Sequence, residues 1–170
     1  MSVDAAEIVA ELAAAPATVA LAESLTGGLL CAALVSVPGA SAVVRGAVVA
    51  YAPDVKSEVL GVPKDLVARH GTVAAETAAA MAAAVRTLLA ADWGVATTGV
   101  AGPEPVEGRP VGLVHVAVAG PGGTRTEQLL LDGDREAVCT GAVAGALGLL
   151  GDALARDVGR WSDLPGTVDG

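Results

Sequence analysis

Apolar runs of strand length alternate with stretches of helical spacing along this chain, and a Gly or Pro marks most of the changes between them. Ala5 to Ala14 is spaced like an amphipathic helix, and Pro16 ends it. "ATVALAE" reads as a short strand, Thr26 to Val37 as a helix stopped by Pro38-Gly39, and "RGAVVAYA" as a buried strand that breaks near Ala52-Pro53. Pro53 and Pro63 suit the first turns of two short helices, with Gly61 and Gly71 past their ends. Ala74 to Ala91 is a long Ala-rich helix, and "WGVATTGVAGP" is a strand that runs into a glycine loop. "VGLVHVAVAG" and "TRTEQLLL" form a hairpin across Pro121-Gly122-Gly123, and Glu136 to Ala155 is the last helix. Interleaving of this kind leads to an α/β layered domain, and the closing antiparallel pair makes its sheet a mixed one.

The 170 residues suffice for one domain with a real core, expected over 1–156, followed by a loose Gly- and Asp-rich tail over 157–170. The chain is 53% hydrophobic, carried mainly by Ala, Val and Leu, so its core is one of small side chains. Gly141 and Gly145 let another element pack close to the last helix, or serve a contact between copies. That helix and the apolar composition together lead to the expectation of a homodimer or higher homo-oligomer. A formal charge of −9 argues against nucleic acid as the partner. No uninterrupted apolar run reaches the roughly 20 residues of a membrane span, and the acidic N-terminus lacks the basic start of a signal peptide. The expectation is a cytoplasmic chain with no membrane association. Cys31 and Cys139, in apolar surroundings without metal-type spacing, read as small buried thiols.

Four stretches could carry chemistry. In "AESLTGG" a strand ends near Glu23, and Ser24, Thr26, Gly27 and Gly28 follow at its carboxyl end, the edge where open α/β sheets bind ligands. The glycines let a ligand approach the backbone, and a helix start there would favour an anion or a developing oxyanion. The same residues fit a plain helix start equally well, with Ser24 or Thr26 as N-cap. In "AYAPDVKSEVLGV", Tyr51 closes a strand and Lys56 follows five residues on, so a phenol and an amine can meet across one bend. A serine hydroxyl needs a base, and a lysine can supply one only when neutral, a state that burial favours. An exposed helix lysine and a core aromatic are the bland alternatives.

In "TTGVAGPEPVEGRPVG", Thr98 and Gly99 end another strand, with Arg109 on the loop beyond as a partner for phosphate or carboxylate; a Gly/Pro surface loop is the plain alternative. In "LDGDREAV", Arg135 opens the last helix, where it faces a pocket or pairs with Asp132 or Asp134. His70 and His115 form no triad or metal cluster, so no metal is expected.

Taken in order, "AESLTGG", "GAVVAYAPDVKSEVLGV", "RHGTVA", "TGVAGP", "RPVGLVHVAV" and "GDREAV" resemble the CinA C-terminal domain family, which includes bacterial nicotinamide-nucleotide amidases. The resemblance implies a three-layer α/β/α sandwich and a cytoplasmic amidohydrolase without metal or other cofactor. The implied substrate is a small-molecule nucleotide, nicotinamide mononucleotide, deamidated to nicotinate mononucleotide and ammonia in pyridine nucleotide salvage. By position, Ser24 matches the family's nucleophile, Lys56 its general base and Tyr51 the phenolic partner; Thr26, Gly27, Gly28, Thr98 and Arg135 fall in pocket-lining segments. The chain departs from the family's pattern at Ala52-Pro53, at Ala74, at Cys139-Thr140 and in the "PEPVEG" loop. Two rivals stand beside this expectation. One is the same machinery acting on another small amide. The other is a non-catalytic ligand-binding or competence- or damage-associated interaction module.

Overall fold

A computed structural model of the chain describes residues 4–161. The elements are α1 (Ala5–Ala14), β1 (Val19–Glu23), α2 (Leu29–Val35), a single 3₁₀ turn (Ala40–Ala42), β2 (Val44–Val49), α3 (Pro53–Glu58), α4 (Lys64–His70), α5 (Ala75–Leu88), β3 (Trp93–Gly99), β4 (Leu113–Gly120), β5 (Gly123–Leu130) and α6 (Arg135–Trp161). One five-stranded sheet has the order β2-β1-β3-β4-β5. The first three strands are parallel, β4 runs antiparallel to its neighbour β3 and β5 antiparallel to β4, so the sheet is mixed.

Side-chain alternation divides the sheet between two cores. Val19, Leu21, Val95, Val114, Val116 and Val118 pack with α1, α2 and α6. Ala20, Ala22, Ala96, Ala117 and Ala119 turn the other way, against Met81, Ala82 and Val85 of α5. The small residues on that second face let α5 lie close: a Cβ at Gly94 would collide with the Ala82 carbonyl. Helices on both faces make the three layers of an α/β/α sandwich.

Several boundaries differ from the sequence reading, each for a physical reason. The helix expected from Thr26 begins at Leu29, because Thr26 to Gly28 form a turn and Gly28 takes φ 106, open to glycine and closed to most residues. The strand at 44–49 is half-exposed rather than buried, since it pairs only with β1 and forms a sheet edge. The long Ala-rich helix stops at Leu88 rather than Ala91. The last helix opens at Arg135 and runs past residue 156 to Trp161, so the tail does not begin at 157; residues 162–170 lie outside the described residues.

By length and composition α6 could cross a membrane, with a mean hydropathy of 1.6 over an 18-residue stretch within Arg135–Asp157. Half of that stretch is buried inside the protein, as in a core helix. Two of its glycines serve the interior: Cβ atoms at Gly141 and Gly145 would press on the side chains of Leu131 and Leu129. The spacing that suggested a contact between copies is thus filled within the chain.

Candidate active site

The site forms at the carboxyl ends of the parallel strands, where β1 stops between β2 and β3. Ser24 extends β1 by one step, its N–H donating to Thr97 O at 3.1 Å. Alternation along that extension sends Glu23 and Ser24 to opposite faces of the sheet.

Glu23 is fully buried, and its carboxylate caps α2. Oε2 accepts the N–H groups of Gly28 and Leu30, each at 3.0 Å, and Oε1 accepts that of Cys31 at 2.8 Å. Neither Ser24 nor Thr26 is the N-cap; the Thr26 hydroxyl is buried and shares a 2.8 Å hydrogen bond with the Thr97 hydroxyl. This corrects the expectation of an anion or oxyanion site at Gly27-Gly28. The Gly27 N–H is bonded to Ser24 O, and those of Gly28, Leu30 and Cys31 are committed to Glu23.

Ser24 faces the amine of Lys56. Pro53 opens α3, whose short span brings Lys56 back beneath the end of β1, where it is 1% exposed. Its Nζ lies 3.1 Å from Ser24 Oγ and donates to Ala50 O at 2.8 Å. No carboxylate is hydrogen-bonded to it among the described residues. Burial pushes the Lys56 amine below the usual lysine range, and the charge of Glu107 opposes this only in part. A neutral amine suits the geometry: one N–H serves Ala50 O, and the lone pair is free to accept the serine proton.

Ser24 and Lys56 open on a cavity of about 240 Å³, whose wall includes Tyr51, Thr98, Gly99 and Arg135. Arg135 pairs with neither Asp132 nor Asp134. Its Nη1 donates to Gly102 O at 2.8 Å and its Nη2 to Tyr51 Oη at 2.7 Å, tying two loops together at the cavity mouth. Tyr51 is 58% exposed rather than a core aromatic, and no hydrogen bond joins its hydroxyl to Lys56 or Ser24. Thr98 donates its hydroxyl to Thr72 O at 2.7 Å. Thr26, Gly27, Gly28 and Arg109 are outside the lining. The backbone N–H groups of Leu25, Ala101 and Gly102, all in the lining, are among those that donate no hydrogen bond to any described residue.

The sequence reading missed the roles of Glu23 and Thr72. Glu23 lies six residues before the first residue of the helix it caps, a spacing that matches no capping box. Thr72 has no local signal at all, since its carbonyl meets Thr98 from 26 residues away.

The lysine environment has a measurable consequence. Lys56 and Lys64 are the only two lysines, and Lys64 is held above the usual range first by its hydrogen bond to Glu58. NMR titration of the two amines should therefore give one value below and one above 10.5. In the folded state Lys56 sheds its proton earlier than in the unfolded chain. Its contribution to stability is thus fully present above the unfolded value, is lost as pH falls from there to the lowered folded value, and stays absent below it. Two coincident titrations at the ordinary lysine value would contradict this environment.

Comparison with known proteins follows the same outline. The family model described as the CinA C-terminal domain matches residues 2–154. A CinA-like protein of Frankia casuarinae is 55% identical over 139 residues, 82% of this chain and 32% of that protein. The chain thus spans about a third of the length of such relatives. Among solved structures, a competence-damaged protein (CinA) superfamily protein from Enterobacter cloacae is 32% identical with a TM-score of 0.84, over 91% of this chain and 94% of that one. The competence/damage inducible protein CihA from Agrobacterium tumefaciens is 34% identical with a TM-score of 0.84, over 91% and 99%.

Proposed function

We propose that this chain, which belongs to the CinA C-terminal domain family, hydrolyses the carboxamide of nicotinamide mononucleotide to nicotinate mononucleotide and ammonia. The observation that carries the reading is the buried Lys56 amine, 3.1 Å from the hydroxyl of Ser24 and without a carboxylate hydrogen-bonded to it. Ser24 loses its proton to Lys56 Nζ as Oγ attacks the amide carbon. The developing oxyanion falls to the unbonded N–H groups of Leu25, Ala101 and Gly102. Lys56, now an ammonium, returns the proton to the departing nitrogen, leaving an ester on Ser24. Water, deprotonated by Lys56, cleaves that ester and restores the site. Tyr51 serves with Arg135 at the mouth, where the guanidinium is the cation in the lining apart from Lys56.

Arg135 then receives the substrate phosphate, with its guanidinium oriented by Gly102 O and Tyr51 Oη. Losing a charge-assisted hydrogen bond costs about 1.5–3 kcal/mol, so Arg135→Ala should raise KM roughly ten- to hundredfold on the nucleotide. The same variant should lose its preference for the nucleotide over the dephosphorylated riboside. An equal loss on both would give Arg135 a structural part only.

A second reading, the same chemistry on another small amide, is favoured by Glu104, whose residue lines the cavity and whose carboxylate would repel a nearby phosphate. Ammonia release by the purified protein separates the readings. Release from the nucleotide supports the first, release only from uncharged amides supports the second, and binding without release supports a non-catalytic module.

A further inference from the structure

Besides Glu23, a second carboxylate makes three hydrogen bonds that no step above uses. Glu107 lies on the loop between β3 and β4, in the left-handed conformation at φ 51, which non-glycine residues seldom take. Its Oε2 accepts the Thr72 N–H at 2.8 Å and the Val73 N–H at 3.4 Å, and its Oε1 accepts the Thr72 hydroxyl at 2.8 Å. The receiving segment is shaped for it. Gly71 takes φ 87, and a Cβ there would come within 2.5 Å of Glu107 Oε2.

Both sides of this contact are walls of the cavity. Thr72 and Val73 line it on one side, and Glu104 and Val106, from the loop that carries Glu107, line it on the other. The Thr72 carbonyl in turn accepts the hydroxyl of Thr98, a third wall residue. Opening the Glu107 contact would therefore release the loop and shift Thr72 against Thr98 together.

We infer that Glu107 is a positioning residue, clamping the 103–110 loop onto Thr72–Val73 to close one wall of the substrate cavity. The clamp has an electrostatic side as well. The ionisable groups around the cavity are Tyr51, Glu104 and Arg135, with Asp54 and Glu58 on the helix that bears Lys56 and with His70, Glu76 and Arg109 around the clamp. The Glu107 charge raises the Lys56 amine against the lowering by burial. Removing that charge should let Lys56 become neutral at a lower pH.

Two variants separate the clamp from its charge, and two readouts separate both from the amidase reading on which the kinetic readout rests. Glu107→Gln should raise KM about tenfold, and hydrogen exchange in peptides covering 71–74 and 103–110 should quicken. Its acid limb of kcat/KM should move to lower pH. Thr72→Val removes one of the three bonds and keeps the charge, so it should raise KM less and leave the acid limb in place. Unchanged exchange and KM in Glu107→Gln would overturn the clamp. An equal shift of the acid limb in Thr72→Val would overturn its electrostatic part. If the wild type releases no ammonia, the amidase reading fails, and the exchange measurement still decides the clamp.

Discussion

Replacing Lys56 by methionine is expected to lower amide hydrolysis by about 10²–10⁴-fold while leaving the protein as stable as before, or more so. The first half follows from the 3.1 Å contact with Ser24, because among the described residues no other side chain is hydrogen-bonded to that hydroxyl to take its proton. The second half follows from burial. The amine sits 1% exposed with one neutral carbonyl and one hydroxyl for company, and an apolar side chain of similar length relieves that confinement. Ser24→Ala should abolish turnover as fully, and the double variant should be hardly worse than either single one, since both residues act in one proton transfer. Urea unfolding beside the activity assay distinguishes a lost base from a lost fold. Activity retained in Lys56→Met and lost in Lys64→Ala would assign the base to the wrong lysine.

The second large effect is on stability. Glu23→Ala would leave the N–H groups of Gly28, Leu30 and Cys31 without the acceptor that caps α2. Leu30 is fully buried, so at least one of these groups cannot turn to water. An unsatisfied buried donor costs about 1–3 kcal/mol, and water compensates in part at Gly28 and Cys31, so a total of about 2–4 kcal/mol is expected. Against a typical domain stability of about 5–15 kcal/mol, such a loss shifts the urea midpoint plainly. Glu23→Gln keeps the shape but turns an amide NH₂ toward at least one of the same donors, and should fall between. A change below 0.5 kcal/mol in Glu23→Ala, the scale of an ordinary surface substitution, would show that the cap contributes little.

The order of elements was legible because periods of two and 3.6 residues alternate, with Gly and Pro between them. What periodicity could not convey was neighbourhood. The valines of 44–49 are apolar whether the strand is central or at an edge, and only its pairing with β1 alone shows which. The start of α2 was misread because its cap comes from Glu23 across a glycine turn, while Ser24 and Thr26 carry the usual local signal. Arg135 stood next to two aspartates, yet its guanidinium goes to Gly102 and Tyr51, 33 and 84 residues away. Ser24 and Lys56 are 32 residues apart, and spacing alone gave no reason to join them; the family resemblance did. Glu107 stayed unread because its partners, the N–H groups of Thr72 and Val73 and the Thr72 hydroxyl, lie 34 and 35 residues away, beyond the reach of any local motif.

The expectation of a homo-oligomer loses one of its two motives, since Leu129 and Leu131 fill the space at Gly141 and Gly145. The other remains in exposed apolar side chains such as Leu29, Val35 and Val49. We propose on that basis that copies associate, and light scattering showing only monomer at micromolar concentration would remove the proposal.

The measurement that reaches the chemistry most directly is turnover of nicotinamide mononucleotide in the presence of hydroxylamine. An ester on Ser24 is open to attack by hydroxylamine as well as by water, so the products should be the hydroxamate and the acid together. Their ratio should rise with hydroxylamine concentration, and neither should form with Ser24→Ala. Acid and ammonia formed with no hydroxamate, or undiminished in Ser24→Ala, would mean that water attacks the amide directly and that Ser24 is not the nucleophile.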